Sequence, residues 1–258
     1  MEFLDEGLRT GPAIVFVHGI PGSVDWFAGV AERLTGAYRV IRVDVHEQGA
    51  RTADFGAESR ATPIIELLDE LALTGVAIVG HSFGAELALA VAARSARVAR
   101  VVVVGQAPDY RAASIPSAAR WVVRPWSVRL AQRWTPGLVI RLANRAVFAP
   151  RFRWSSAPGL AEAVVRDFRS AAPAGLAYAV GARAADLAVD PLDARVAALD
   201  LPVLAVHGRH DQLYDSTETL SRFAAAGARV HLVEHAGHAP QVEQPDEFVT
   251  VLREFLRD

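Results

Sequence analysis

The chain has 258 residues, 52% hydrophobic, 22% charged and 8% aromatic, with a formal net charge of −2, the balance of a globular protein with a sizeable core in one or two domains. It contains no cysteine, which excludes disulfides, a thiol nucleophile, thiolate zinc sites and iron–sulfur clusters. All 27 basic residues are arginine, which stays protonated, so a Schiff-base lysine, a P-loop lysine and a serine–lysine dyad are excluded too. The near-neutral charge offers no strong field to nucleic acid or anionic lipid. An acidic N-terminus and the lack of an uncharged apolar run of ~20 residues predict a cytoplasmic protein with no membrane partner.

In chain order, residues 13–18 form a β-branched run ending at a glycine, the pattern of a buried strand. Residues 23–34 carry helical spacing at Trp26, Phe27, Val30 and Leu34. A strand is predicted over 39–45, a helix over 57–74 stopped by Gly75, and a strand over 76–79. An alanine-rich helix over 83–94 and a strand over 100–104 follow. Repeated strand–helix units predict a parallel sheet covered on both faces. From 109 to 199 no comparable β-branched run occurs; helices are predicted over 117–132, 137–148, 159–170 and 174–187, between prolines. Alternation resumes with a strand over 202–207, a helix over 217–226, a strand over 229–233 and a helix over 245–256. The expected organisation is one α/β core, 1–108 and 200–258, with a helical cap inserted at 109–199.

The sharpest motif is Gly80-His-Ser82-Phe-Gly84, between a predicted strand and a predicted helix. It fits the G-x-S-x-G nucleophile elbow. A serine in such a tight turn is lifted to the N-terminus of the next helix, where free N–H groups and the helix dipole favour negative charge. A serine hydroxyl needs a base, and His238 follows the last predicted strand. That imidazole needs an orienting carboxylate, and Asp211 follows the strand before it. His235 is the rival base and is read as a packing or hydrogen-bonding residue. Asp215 is read as a helix cap. Asp109, after the strand over 100–104, is the rival acid. The i, i+3 pairs His207/His210 and His235/His238 lie in strand-to-loop turns, and no metal or other cofactor is called for. The glycine-rich turn His18-Gly-Ile-Pro-Gly-Ser23 offers the Ile20 N–H, which pairs with the Phe83 N–H as an expected oxyanion hole; Pro21 has no N–H to donate.

With HGIPGS, GHSFG, GRHD and AGHAPQVEQP in this order, the chain resembles the serine-nucleophile branch of the α/β-hydrolase superfamily, near its esterase, haloperoxidase and epoxide-hydrolase-like members. The resemblance covers about residues 13–108 and 200–257. It implies an α/β fold with a mostly parallel, eight-stranded central sheet flanked by helices, and a helical cap over the site. Two departures stand out. Only about a dozen residues precede Ala13, so one strand of the usual opening hairpin is expected to be absent. The loop from Asp44 to Arg51 also differs from the family pattern, with Asp44 read as an anchor of that turn.

Serine at position 82, in place of the aspartate nucleophile of epoxide hydrolases and haloalkane dehalogenases, argues against both of those reactions. What remains is acyl transfer on a small to medium apolar ester, lactone or thioester. The alternatives are C–C bond hydrolysis or cofactor-free perhydrolysis by the same triad, or a ligand-binding protein that does not hydrolyse. Trp121, Trp126, Trp134 and Trp154 of the insertion are expected to form an apolar lid that touches substrate.

Overall fold

The computed structural model describes residues 1–45, 55–111, 113 and 123–257. Its strands are β1 (Phe3–Gly7), β2 (Ala13–Val17), β3 (Arg39–Val43), β4 (Val76–His81), β5 (Val98–Val104), β6 (Val203–Gly208) and β7 (Arg229–Val233). They form one sheet in the order β1-β3-β2-β4-β5-β6-β7. Only β1 runs antiparallel, pairing Phe3 with Val43 and Gly7 with Arg39. Every residue of β2, β4 and β6 is buried, the mark of parallel strands covered on both faces.

Alternation along the strands divides the core in two. Val15, Val17 and Ile78 pack on one face with α2 (Ala57–Glu70) and α3 (Phe83–Arg94). Ile14, Phe16 and Val79 pack on the other with α1 (Ala28–Leu34) and α12 (Pro245–Arg257). The first helical segment opens as a 3-10 turn, Val24–Phe27, before α1 begins.

Between β5 and β6 the described chain adds α4 (Pro125–Trp134), α5 (Gly137–Ala143), α6 (Leu160–Ser170), α7 (Pro173–Val180), α8 (Arg183–Val189) and α9 (Leu192–Ala198). The helix predicted over 117–132 begins only at Pro125 among the described residues. The one predicted over 137–148 stops at Ala143 and continues as a 3-10 turn, Asn144–Val147. The one predicted over 174–187 is two helices, because the chain leaves helical geometry at Gly181. Leu187, Leu192 and Val196 join the same core as α3, so the last part of this segment packs into the α/β body. After β6 come α10 (Ser216–Ala225) and the short α11 (Pro240–Glu243).

The described strands number seven, one fewer than the resemblance implies, and the segment before Ala13 supplies the single strand β1. No helix among the described residues is long and apolar enough to cross a membrane.

Candidate active site

Ser82 joins β4 to α3 with φ 53° and ψ −120°, a left-handed backbone that is costly for any residue but glycine. Close packing holds it there. A Cβ on Gly80 would lie 2.1 Å from the Gly84 carbonyl oxygen, and one on Gly84 would lie 2.2 Å from that of Val17. Both flanking glycines are therefore dictated by main-chain approach. The Ser82 N–H donates to the Val104 carbonyl at 2.9 Å, tying the elbow to β5.

Asp211 and His238 meet on the loops after β6 and β7. The His238 Nδ1 donates to Asp211 Oδ2 at 2.9 Å. The His207 Nε2 lies 2.8 Å from the same oxygen. Asp211 Oδ1 accepts the Leu213 N–H at 2.7 Å. Burial pushes this carboxyl up. The charge and hydrogen bond of His238, with His207 close by, outweigh burial and hold it below the ordinary carboxylate range. It is thus an ionised acceptor, able to fix the His238 tautomer and to stabilise an imidazolium.

Among the described residues no hydrogen bond joins Ser82 Oγ to His238. Their neighbours hold the two together. The His81 Nε2 donates to the His238 carbonyl at 3.0 Å, and the two rings meet edge to face with centroids 5.1 Å apart. Burial first, then nearby His238, pushes the His81 imidazole down to about 3, so it is neutral at pH 7 with its proton on Nε2. His81 also stacks on buried Trp26.

The turn after β2 flanks the elbow. A Cβ on Gly19 would lie 3.0 Å from Ser82 Cβ, which places the Ile20 main chain beside the serine. His18 shapes the turn. Its Nε2 accepts the Val45 N–H at 3.1 Å, so Nδ1 carries the proton and donates to the Gly19 carbonyl at 2.7 Å. Asp44 Oδ1 stands 3.4 Å from the His18 Nε2, against this turn. The rest of the altered loop, 46–51, lies outside the described residues. Phe83 opens α3, where the first N–H groups have no partner within the helix. The Ile20 main chain and the first residue of α3, Phe83, thus both lie next to Ser82.

The rivals are engaged elsewhere. Asp109 is buried and accepts from the Arg111 N–H and guanidinium, with Arg222 at 3.0 Å. Burial raises its carboxyl, but the bonds from Arg111 and Arg222 prevail and hold it low. Asp215 caps α10 by accepting the Glu218 N–H at 2.8 Å. His235 is exposed.

Of the four tryptophans, the three among the described residues do not gather into a lid. Trp126 and Trp134 are 67% and 72% exposed, because the opposite side of α4 is the one that packs inward. Trp154 is half-buried against Phe148 and Phe152. Trp121 lies outside the described residues. Among the described residues it is Trp26 that stacks on His81 beside the elbow, and its Nε1 donates to Asp167 of α6 at 3.0 Å. The Ser23 hydroxyl donates to the same carboxylate at 3.0 Å. Asp167 thereby fastens the helical segment to the glycine-rich turn. Val128, Ala171 and Leu176, with Phe168 and Ile20, form an apolar cluster beside the glycine-rich turn.

Sequence reasoning also missed Glu243. Its carboxylate accepts the N–H groups of Gly237 and Ala149, each at 2.7 Å, and so brackets the His238 loop to residues 147–149. The His238 N–H donates to the Val147 carbonyl at 2.8 Å along the same stretch. Burial pushes the Glu243 carboxyl up to about 7, against those N–H groups, which favour its ionised form. A cleft of about 730 Å³ opens beside His210, His235 and Phe152; its lining does not include Ser82 or Asp211.

Known proteins share this arrangement of elements. The 2-hydroxymuconate semialdehyde hydrolase of Pseudomonas sp. (strain CF600) is 27% identical, with 100% of this chain and 93% of that protein covered. A thermophilic esterase from Thermogutta terrifontis superposes with a TM-score of 0.75 at 25% identity, covering 99% of this chain and 92% of its own. The enol-lactonase from Burkholderia xenovorans LB400 has the same fold, with a TM-score of 0.78 at 22% identity over 100% of this chain and 96% of its own. The model of the alpha/beta hydrolase family matches residues 14–251, nearly the whole chain, and the protein belongs to that family.

Proposed function

We propose that this protein is a serine hydrolase that cleaves a small to medium apolar carboxylic ester, or a lactone or thioester, through an acyl-enzyme on Ser82. The observation that carries the reading is the buried Asp211–His238 pair, held by His81 against an elbow serine at φ 53°. In this reading His238 takes the Ser82 proton as the hydroxyl attacks the acyl carbon, and Asp211 stabilises the imidazolium. The Ile20 and Phe83 N–H groups bind the oxyanion. His238 returns the proton to the leaving alcohol, and water, activated by the same imidazole, releases the acid. No cofactor enters these steps.

Ile20, Val123 and Phe168 support an apolar acyl group, since they meet beside the Ile20 donor. Helices α4 to α7 act as the cap, and the protein works in the cytoplasm on a small molecule. A second reading is C–C bond hydrolysis of a diketone. It is favoured by the relative whose named substrate is a semialdehyde, not an ester. A panel of aryl esters, lactones and vinylogous diketones tests both. Turnover of esters or lactones supports the first reading, and turnover of diketones alone supports the second. No turnover of any, with a tight apolar ligand bound, would make the chain a non-hydrolytic binder.

A further inference from the structure

The net charge of −2 averages over a marked asymmetry. Residues 123–161 contain seven arginines and no acidic residue, so the remainder of the chain is correspondingly acidic. In the same stretch Trp126, Leu130 and Trp134 follow one another at i, i+4 and i+8 on α4, and all are exposed. Leu138 and Leu142 on α5, the next helix after the break at Thr135 and Pro136, are 61% and 64% exposed. Single exposed apolar residues need no explanation, but five large ones within the 17 residues 126–142 do.

The other side of α4 is already occupied. Val128 packs with Ala171 and Leu176, and the Gln132 amide donates to the Phe168 and Ala171 carbonyls at 2.8 Å each. The stripe is therefore turned away from α6 and α7. Arg129 and Arg133 are exposed and flank it, with the Arg133 guanidinium 5.4 Å from the Trp134 ring centroid. Apolar residues with interspersed tryptophan and arginine match a surface that is greasy within and negative at its edge.

We infer that α4 and α5 dock the protein onto an anionic lipid bilayer surface, with Trp126, Leu130, Trp134, Leu138 and Leu142 entering the interface and Arg129 and Arg133 meeting lipid phosphates. Charge disfavours a symmetric dimer through this stripe, because that would set two arginine-rich segments against each other. A nucleic acid would use the arginines and the two indoles. It would leave the three exposed leucines without a partner. The chain lies on the bilayer and does not span it.

Flotation of the full-length protein with phosphatidylcholine vesicles, with and without phosphatidylglycerol, tests this. The protein floats with the anionic vesicles and not with the neutral ones, and added salt weakens the association. Arg129→Glu with Arg133→Glu lowers partitioning at least about tenfold, given the worth of each basic residue near such a surface. Leu130→Gln with Trp134→Gln lowers it comparably without moving the thermal transition, since both side chains are exposed. Should that variant not fold, brominated acyl chains provide the reading on the unaltered protein: tryptophan fluorescence is quenched. Failure to float with anionic vesicles overturns the inference. So does a stable dimer that vesicles leave intact, or binding to single-stranded DNA in preference to lipid.

Discussion

The His81 Nε2–H donates to the His238 carbonyl across 3.0 Å, so the residue beside the elbow serine holds the backbone of the histidine proposed as its base. The two residues are 157 positions apart, and this bond joins the β4 elbow to the loop after β7. His81 itself is buried and neutral, and therefore positions His238 without competing for the proton. His81→Ala leaves a buried carbonyl without its donor and lets the His238 loop shift. Stability falls by about 1–3 kcal/mol. The value of kcat falls about 10²-fold with KM nearly unchanged, the cost of misplacing a reacting group by about 1 Å. Steady-state kinetics alongside a urea melt separate the two effects; a proportional rise in KM with kcat intact would assign His81 to substrate binding.

The acid is decided by comparing two carboxylates. Asp211 meets His238, whereas Asp109 is held by Arg111 and Arg222. Asp211→Asn removes the charge beside the imidazolium and can enforce the wrong tautomer, so kcat falls at least ~10³-fold. Asp109→Asn leaves kcat within about tenfold and costs about 1–3 kcal/mol of stability, because it weakens a buried hydrogen-bonded ion pair. Ester hydrolysis by both folded variants, judged beside their melts, checks the assignment. A crippled Asp109→Asn with an active Asp211→Asn would move the acid to β5.

Glu243 makes stability depend on pH in a defined direction. Its carboxyl is raised from 4.5 to about 7 in the folded state. The folded chain therefore keeps this proton at pH values where the unfolded chain has lost it. Stability from this group is fully present below 4.5 and is lost as pH rises through about 7. Glu243→Gln is neutral throughout and lacks that slope. Urea unfolding at pH 5 and pH 8 should show the unaltered protein losing about 2 kcal/mol relative to the variant. A constant difference between the two pH values would contradict the burial of this carboxyl as described.

The parts of the site that were legible in the sequence are those set by neighbours in the chain. Gly80 and Gly84 announce the elbow because the contacts that forbid a Cβ there arise from the turn and the adjacent strand β2. Strands β2, β4 and β6 were readable because burial on both faces demands unbroken apolar runs. His81, Trp26 and Glu243 were not legible, since each acts on a partner brought in by the fold; Trp26 and Asp167 are 141 positions apart. The exposed tryptophans were misplaced for a related reason. Helical spacing shows that Trp126 and Trp134 share a face, but only the packing of Val128 shows which face points inward. The break at Gly181 has little local signal, because the alanine-rich sequence around it suits a helix on both sides.

The most direct test of the account is intact-protein mass spectrometry of the enzyme quenched during turnover of an activated aryl ester. The account predicts a mass increase equal to one acyl group, mapped to Ser82 after proteolysis and absent from Ser82→Ala, which also loses hydrolysis. Continued hydrolysis by Ser82→Ala, or an acyl group mapped to another side chain, would contradict it.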